Sequence, residues 1–509
     1  MTDNLFTAIS TRLEQTPEQI LVERPGGRRY TYGEALQESA RLANRLAKLG
    51  LRPGDRLAVQ IDKSPEMLLL YLACLRAGGV YLPLNTAYTE GELRYFLDNA
   101  EPTVVIAQAG KTSTLASLSA AAGACVATLG TARDGTLVEE LDHEPTTHEP
   151  AKVGMEAPAA ILYTSGTTGR PKGAVLSHGN LLANAEALID AWRFSAEDRL
   201  LHALPVFHVH GLFVACNVPI LAGARITFLD KFDVDEVIEH LPHCTVMMGV
   251  PTFYVRLLQD ERFNHKTTEN LRLFVSGSAP LLAETHEAVR ARTGHGIVER
   301  YGMTETNMNT SNPYDGERRA GTVGFPLPGV EVRIVDTETL AELPHGEIGG
   351  LEVRGPNVFG GYWRMPEKTA EDFREDGFFI TGDLAYVDED GYIHIVGRAK
   401  DLIISGGYNV YPKEVEQIVD DLPAVVESAV FGVPHPDLGE AVTAVVVPQP
   451  GRHVSESDVL GAMKDKIAKY KRPKRVIVVD SLPRNVMGKV QKNMLREQFG
   501  DIYRQSSES

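Results

Sequence analysis

The sequence predicts an α/β protein with two domains. Short apolar strands alternate with amphipathic helices through the first half, a pattern that favours parallel sheets covered by helices. Around residues 346–353 the pattern changes to short strands with Gly and Pro turns, which indicates a small β-rich subdomain. A chain of 509 residues is long enough for more than one core. We therefore predict a large N-terminal domain of helix-covered sheets with this subdomain, and a smaller α+β C-terminal domain.

The first half begins with clear local signals. Thr31 and Glu34 form a capping box, and apolar residues then recur at helical spacing. Residues 56–61 and 80–84 fit strands, and Ser64 opens a helix between them. A strand, a helix and a second strand in this order predict a parallel pair.

The C-terminal part begins after Gly397. About 110 residues follow, with a predicted helix from 412 and strands near 425–433 and 441–447, enough for a separate α+β domain. The junction at residues 398–401 is charged and polar between two apolar strands, so it can absorb backbone rotation while exposed. We predict domains at 1–397 and 398–509, with the hinge at 398–401.

Composition excludes several classes of protein. A formal charge of −17 argues against general nucleic-acid binding, which needs a basic field. The four cysteines have no CxxC spacing, which indicates free thiols in a reducing compartment. The start lacks the pattern of a secretion signal, and the longest apolar run is too short to span a bilayer. We expect a cytoplasmic protein with no membrane partner.

Residues 163–173 are the most informative segment, reading Tyr-Thr-Ser-Gly-Thr-Thr-Gly-Arg-Pro-Lys-Gly. They follow a strand-like run, and their glycines and hydroxyls let backbone and side-chain donors converge on an anion. Lys172 adds a positive charge. A Walker loop would need Gly-Lys-Ser/Thr at its end, whereas Pro171 and Gly173 flank this lysine. The segment predicts phosphate binding; a flexible surface loop would explain the glycines alone.

Four further motifs follow in order along the chain. They are Glu299-Arg300-Tyr301-Gly302-Met303-Thr304-Glu305, Thr381-Gly382-Asp383, Gly397-Arg398-Ala399-Lys400-Asp401 and Pro483-Arg484-Asn485-Val486-Met487-Gly488-Lys489. Together with residues 163–173 they resemble the signatures of the adenylate-forming superfamily, which includes acyl-CoA synthetases, peptide-synthetase adenylation domains and luciferases. The resemblance covers essentially the whole chain.

This resemblance implies that a carboxylate attacks the α-phosphorus of ATP, a reaction that depends on alignment and charge stabilisation. Thr304 would hold the α-phosphate and Glu305 a Mg²⁺ ion, although Glu305 alone could also cap a helix. Tyr301 would stack on adenine, and Asp383 and Arg398 would bind the ribose. The implied nucleotide-binding residues are Thr164, Ser165, Gly166, Thr167, Thr168, Gly169, Lys172, Ser278, Ala279, Pro280, Glu299, Arg300, Tyr301, Gly302, Met303, Thr304, Asp383, Arg398, Lys400, Gly406 and Gly407.

The resemblance also implies a moving C-terminal domain. Lys489 would catalyse adenylation, and Lys400 would be the pivot about which the small domain turns. After pyrophosphate leaves, the loop with Gly406 and Gly407 would replace Lys489 and admit the thiol of coenzyme A. The basic run 464–475 is either a solvated helix end or a site for the phosphates of coenzyme A. A lysine acetyltransferase acting on Lys489 is a further expected partner, as in some relatives.

The acid is predicted from a second set of residues. His208 lies in Phe207-His208-Val209-His210-Gly211, and Arg256 lies one turn into a predicted helix, so both suit a second carboxylate. Alternatively, Arg256 points to solvent and His208 packs over the nucleotide. The run 300–316 and the His208 segment resemble the malonyl-CoA synthetases, some of which also take methylmalonate. Met303 would then border the α-carbon, and His208 would join Lys489, Thr304 and Glu305 as catalytic residues.

The resulting prediction is an ATP-dependent malonate:CoA ligase that also suits methylmalonate. Three alternatives remain: an acyl-CoA synthetase for another short-chain or aromatic acid, a peptide-synthetase adenylation module, and a nucleotide-binding sensor without catalysis. Lys172, Glu305 and Lys489 are all present, which argues against the sensor.

Overall fold

The computed structural model describes residues 4–110, 114–164, 171–406, 408–464, 466–485 and 488–503. Within them the chain forms a mixed α/β fold with four sheets, and this confirms the predicted fold class. The described cysteines are all free thiols, as predicted. Over the same residues, none of the helices has the length and apolar content needed to cross a bilayer.

The described strands are β1 (Ile20–Glu23), β2 (Arg29–Thr31), β3 (Arg56–Gln60), β4 (Val80–Pro83), β5 (Val104–Gln108), β6 (Cys125–Leu129), β7 (Pro158–Thr164), β8 (Lys172–Ser177), β9 (Arg199–His202), β10 (Arg225–Phe228), β11 (Val246–Gly249), β12 (Leu273–Ser276), β13 (Ile297–Met303), β14 (Asn307–Ser311), β15 (Phe325–Pro326), β16 (Glu331–Val335), β17 (Gly349–Arg354), β18 (Gly361–Tyr362), β19 (Phe379–Val387), β20 (Ile393–Arg398), β21 (Ile403–Ser405), β22 (Tyr408–Val410), β23 (Val425–His435), β24 (Gly439–Pro448) and β25 (Arg475–Val478).

The described α-helices are α1 (Leu5–Gln15), α2 (Tyr32–Lys48), α3 (Pro65–Arg76), α4 (Glu90–Ala100), α5 (Thr114–Ala121), α6 (His178–Trp192), α7 (Ala215–Ala222), α8 (Val234–His240), α9 (Pro251–Leu258), α10 (Ala283–Thr293), α11 (Pro366–Glu371), α12 (Pro412–Asp420), α13 (Glu456–Ala462) and α14 (Lys492–Phe499). A π-helix at His210–Val214 precedes α7, and a 3₁₀ turn at Ala399–Asp401 follows β20.

Two large sheets form the N-terminal part. One has nine strands in the order β15-β14-β13-β12-β11-β9-β10-β1-β2, and the other has seven in the order β18-β8-β7-β4-β3-β5-β6. The central strands of both are parallel. Helix α3 is buried along its whole length, and Ser64 caps it by accepting from the Met67 N–H. A helix that is apolar all round needs cover on every side, which the neighbouring layers provide.

Local signals set several boundaries. Thr31 and Glu34 form the predicted reciprocal capping box at the start of α2. The β-rich subdomain is a four-stranded antiparallel sheet in the order β16-β17-β19-β20.

The C-terminal part is a five-stranded sheet packed against α12, α13 and α14. Its order is β22-β21-β24-β23, with β25 parallel to β24. The basic run 464–475 is not a helix end, because α13 ends at Ala462 and a 3₁₀ turn forms at Lys469–Lys471. Within that turn Lys471 Nζ lies 2.6 Å from Glu414 Oε1, so Glu414 neutralises one positive charge of the basic run.

Candidate active site

Four of the predicted site segments begin at one edge of the nine-stranded sheet. Strands β9, β11, β12 and β13 are parallel neighbours in space. Their carboxyl ends therefore meet at the same edge, where ligands of open α/β sheets bind. Residues 203–210, helix α9, residues 277–281 and the 300–305 motif all begin there.

The phosphate loop is held at both of its ends. Thr164 and Lys172 are paired residues of the β7–β8 hairpin, and the Thr164 hydroxyl donates to the Lys172 carbonyl at 3.4 Å. Outside the hairpin, Tyr95 Oη donates to the Pro171 carbonyl at 2.8 Å. The hairpin thus fixes where the loop starts and stops. The predicted phosphate ligands Ser165, Gly166, Thr167, Thr168 and Gly169 lie outside the described residues.

Tyr362 links Lys172 to Glu305, and Asp372 lies beside Lys172; the sequence indicated neither of these two residues. Lys172 Nζ lies 3.5 Å from Asp372 Oδ2 and 4.1 Å from the centroid of the Tyr362 ring. The Tyr362 hydroxyl donates to Glu305 Oε1 at 3.2 Å. Burial raises the pKa of Glu305, and the nearby Lys172 partly offsets that effect. Cation and carboxylate thus share one aromatic partner beside the hairpin, and Thr304 precedes Glu305 in the turn after β13.

Asp383, Arg398 and Tyr301 form a second cluster. Asp383 and Arg398 are paired across β19 and β20, and Arg398 Nε lies 2.6 Å from Asp383 Oδ1. The Tyr301 hydroxyl donates to Asp383 Oδ2. Asp383 is only 4% exposed, so its carboxylate depends on these donors. The cluster joins the β-rich subdomain to the end of β13.

The loop after β12 carries Ser278, Ala279 and Pro280. Ser278 has φ of +70°, in the left-handed region. Glu299 Oε1 accepts from the Leu281 N–H at 3.2 Å and holds the loop's far end. Burial raises the pKa of Glu299 to about 8. Glu299 therefore supports this loop as a carboxyl group that is largely protonated near neutral pH.

Arg300 faces away from the nucleotide cluster. Successive side chains of a strand point to opposite faces, so Arg300 and Tyr301 of β13 diverge. The Arg300 guanidinium packs where a side chain on Gly277 would clash, with Cζ only 2.4 Å from an added Cβ. Its Nη2 lies 3.5 Å from Ser278 Oγ, and the residue is 3% exposed. The structure separates Arg300 from Tyr301 and Asp383, the residues it was grouped with in sequence.

His210 lies in the same region as Arg300, whereas the His208 ring lies 4.8 Å from the Phe207 ring. His210 Nδ1 lies 3.4 Å from Ser278 Oγ, and the Nε2 atoms of His208 and His210 are buried without a hydrogen-bond partner among the described residues. Burial lowers the pKa of His208 to about 4 and that of His210 well below its usual value. Both rings are therefore neutral near pH 7 and act as hydrogen-bonding groups.

Arg256 and Met303 take different positions. Arg256 is exposed on α9 and makes no salt bridge with any described residue. It lies one turn after Thr252, whose Oγ1 is 3.4 Å from the position of a Cβ on Gly488, so both face the cleft between the domains. Met303 is half-buried at the end of β13, with its sulfur 3.8 Å from the Tyr301 hydroxyl.

Lys489 lies at this cleft. Its backbone N–H donates to Asn485 Oδ1 at 3.0 Å, which fixes a tight turn. Water still reaches part of the side chain, but protein surrounds the ammonium group, and this desolvation together with nearby Arg398 lowers its pKa. Asp383 and Asp401 oppose the shift. The structure therefore brings Lys489 to the Asp383–Arg398 cluster.

The predicted hinge residue Lys400 and the predicted glycine hairpin follow β20 along the sequence. Lys400 is exposed in the 3₁₀ turn after β20, beside Asp401, which pairs with Arg496 of α14 at 2.9 Å. Gly406 is exposed between β21 and β22, and its N–H donates to the Leu438 carbonyl at 2.9 Å. Gly407 lies outside the described residues.

Comparisons with known proteins identify the family. Residues 9–363 match the family model described as AMP-binding enzyme, and residues 414–489 match the AMP-binding enzyme C-terminal domain. The chain belongs to the AMP-binding enzyme family. It is an AMP-forming acid–thiol ligase, which uses ATP and coenzyme A.

Similar proteins include several acyl-CoA ligases. The crystal structure of ATP-bound MatB from Rhodopseudomonas palustris is 55% identical and superposes with a TM-score of 0.96, over 99% of this chain and 100% of that one. A malonate–CoA ligase of Arabidopsis thaliana is 34% identical, covering 97% of this chain and 88% of its own. A feruloyl-CoA synthase of an Amycolatopsis species is 37% identical, covering 96% and 98%. Family membership is thus clear, whereas overall identity does not distinguish the acid.

Proposed function

We propose that this ligase activates malonate, and also methylmalonate, to form malonyl-CoA, AMP and pyrophosphate through malonyl-AMP. The observation that carries the proposal is the state of Arg300. Its buried guanidinium makes no salt bridge with any described residue, and its Nε has no hydrogen-bond acceptor among them. A buried charge without a counter-ion costs several kcal/mol, so a carboxylate ligand would restore a favourable arrangement.

The surroundings of Arg300 suit a carboxylate. Ser278 Oγ and the His210 ring supply neutral hydrogen-bonding groups next to the cation. Burial lowers the pKa of Arg300 to about 9, still above neutral, so the guanidinium keeps its charge. We assign the distal carboxylate of the acid to Arg300, with Met303 beside the α-carbon and Arg256 at the mouth of the pocket.

The reacting carboxylate is joined to the distal one through a single carbon, so it would lie close to Arg300, at the carboxyl ends of β12 and β13 and near the α-phosphate of ATP. We propose that Thr164, the loop 165–170 and Lys172 bind the outer phosphates, that Thr304 orients the α-phosphate, and that Asp383 and Arg398 bind the ribose. Glu305 would hold Mg²⁺ with phosphate oxygens, because a carboxylate suits this hard ion, which would neutralise phosphate charge. The proximity of Lys489 to Arg398 supports its role in adenylation.

For the second half-reaction we propose a domain boundary at residue 397 and rotation about Lys400. The Gly406–Gly407 hairpin would then replace Lys489 and leave a channel for the thiol of coenzyme A. Lys469 and Lys474 of the basic run are exposed and offer charges for its phosphates. Modification of Lys489 by a lysine acetyltransferase stays a prediction.

The choice of acid is tested by pyrophosphate release. In a panel of five acids we expect malonate and methylmalonate to give a higher kcat/KM than acetate, hexanoate and coumarate, because only malonate and methylmalonate carry a second carboxylate for Arg300. Faster turnover with acetate or hexanoate would exclude the dicarboxylate assignment and leave the ligase class intact.

Replacing Arg256 by Leu is expected to raise the KM for malonate about tenfold and leave the KM for ATP near its original value. The effect is moderate because an exposed charge is screened by water. Steady-state kinetics with each substrate varied in turn measures it. Arg262→Leu is a suitable control, since Arg262 is an exposed arginine paired with Asp235 and Asp260. Equal malonate KM values in the two variants would place Arg256 outside the acid path.

A further inference from the structure

A buried lysine connects the two large sheets behind the proposed acid pocket. Lys63 follows β3 of the seven-stranded sheet and is 7% exposed. Its Nζ lies 2.9 Å from His202 Nδ1 and donates to the His202 carbonyl at 2.8 Å. His202 is the last residue of β9 in the nine-stranded sheet and is fully buried. Lys63 thus reaches across to the strand that leads into the His208 segment.

The contacts of His202 define its tautomer. The Gly211 carbonyl near Nε2 can only accept, so the ring proton lies on Nε2 and Nδ1 accepts from Lys63 Nζ. That proton points to the Gly211 carbonyl, which is 2.8 Å away. The two bonds from Lys63 need two hydrogens, which both the ammonium and the neutral amine possess. The chain of contacts Lys63–His202–Gly211 therefore holds in either protonation state of Lys63.

Three further side chains lie near the Lys63–His202–Gly211 contacts, namely those of Cys216, Asp230 and Phe228. Burial lowers the pKa of Lys63 to about 7, and Cys216 and Asp230 act in the opposite direction. The Lys63 ammonium also lies 4.3 Å from the centroid of the Phe228 ring. Cys216 Sγ donates weakly to the same Gly211 carbonyl at 3.4 Å, and burial raises the pKa of this thiol to about 12. His202 is therefore the strong donor to Gly211.

Gly211 lies in the π-helix at His210–Val214. The hydrogen bonds of a π-helix span one residue more than those of an α-helix (i→i+5), and such turns are rare and often lie at functional sites. Loss of that extra residue would rotate the preceding residues by about 100° around the axis. His210 would then leave the side that faces Ser278 and Arg300. Gly211 itself cannot be replaced, since a Cβ would lie 1.9 Å from the Pro205 carbonyl oxygen.

We propose that Lys63 and His202 are positioning residues for the acid pocket: they hold the π-helix in register and thereby keep His210 beside Ser278 and Arg300. The proposal rests on the proposed placement of the acid at Arg300. Neither residue touches the acid, so both act through the backbone at Gly211.

Three variants test this chain of contacts. Lys63→Met keeps the length of the side chain but removes both donors. His202→Asn keeps an acceptor near Lys63 but does not reach Gly211, whereas His202→Gln places an amide donor near the position of Nε2. For the best acid of the panel, we expect KM to rise about tenfold or more in Lys63→Met and His202→Asn. His202→Gln should stay within about threefold of the original protein, and the KM for ATP should change little in all three.

The outcomes separate this proposal from the proposed function. Lys48→Met, at an exposed lysine, controls for loss of charge. Equal KM values for His202→Asn and His202→Gln, or a parallel rise of acid and ATP KM values, would overturn the positioning role. If Lys63→Met does not fold, the comparison of the two His202 variants still decides. If Arg300→Leu raises the KM for the acid but the Lys63 and His202 variants do not, the acid pocket stands and the positioning role of Lys63 and His202 is rejected. The double variant Lys63→Met/His202→Asn should be no worse than either single one, since both act on the same contact.

Discussion

Replacing Lys489 by Ala is expected to slow formation of the acyl-adenylate by about 100-fold or more, the usual effect of removing one cationic or hydrogen-bonding group from a developing negative charge. The structure brings this ammonium group to the Asp383–Arg398 cluster, where protein surrounds it and strengthens its electrostatic effect. In the same variant, formation of the thioester from supplied malonyl-AMP and coenzyme A should be largely unchanged. We expect this asymmetry because rotation about Lys400 would remove Lys489 from the site before the thiol attacks.

The measurement uses each half-reaction separately. Pyrophosphate exchange reports adenylation, and release of AMP from synthetic malonyl-AMP reports thioester formation. Lys474→Ala is a matched control, because Lys474 is an exposed lysine in the same domain. Equal losses in both half-reactions would contradict the exchange of Lys489 for the Gly406 hairpin and would point to a general structural defect.

Replacing Arg300 by Leu is expected to raise the KM for malonate by about 100-fold, because a buried carboxylate would lose its charged partner. The KM values for acetate and for ATP should change far less, since neither places a charge at this position in our assignment. The thermal midpoint of the ligand-free protein should stay level or rise. An isolated buried cation destabilises the folded state, and leucine removes that cost.

Separate readouts make this second result decisive. Kinetics with malonate and acetate give the selectivity, and thermal unfolding without ligand gives the stability. Arg300→Lys keeps a charge without the planar fork and should lie between the two. A fall in stability together with equal losses for malonate and acetate would show that Arg300 supports the fold and does not bind the acid.

Local chemistry explains what the sequence predicted. The Thr31–Glu34 capping box forms because its partners lie three residues apart, and the β7–β8 hairpin closes around the phosphate loop for similarly local reasons. The proximity of Asp383 and Arg398 could also be predicted, because each belongs to a family motif and the resemblance assigns both residues to the ribose. These features depend on short-range geometry or on a recognisable order of residues.

The features that escaped prediction depend on distant contacts. Asp372 and Tyr362 meet Lys172 only because β18 pairs with β8, nearly two hundred residues away in sequence. Lys63 and His202 come from different sheets, and no spacing relates them. Arg300 points away from Tyr301 because side chains alternate along a strand. The two residues are adjacent in one nucleotide motif, and for that reason the sequence suggested a shared role. The separation of these two side chains becomes visible only when β13 has neighbours on both faces.

The alternation of β13 also limits how this enzyme can change. Arg300 and Tyr301 are consecutive, so an insertion or deletion earlier in that strand would exchange the two faces and damage acid and nucleotide recognition together. A point substitution at position 300 leaves the neighbouring face untouched. Single substitutions in β13 can therefore change the acid preference, whereas insertions and deletions in this strand cannot do so without damage to nucleotide binding. Libraries that diversify this ligase are best built by replacing residues while the length of the strand is preserved.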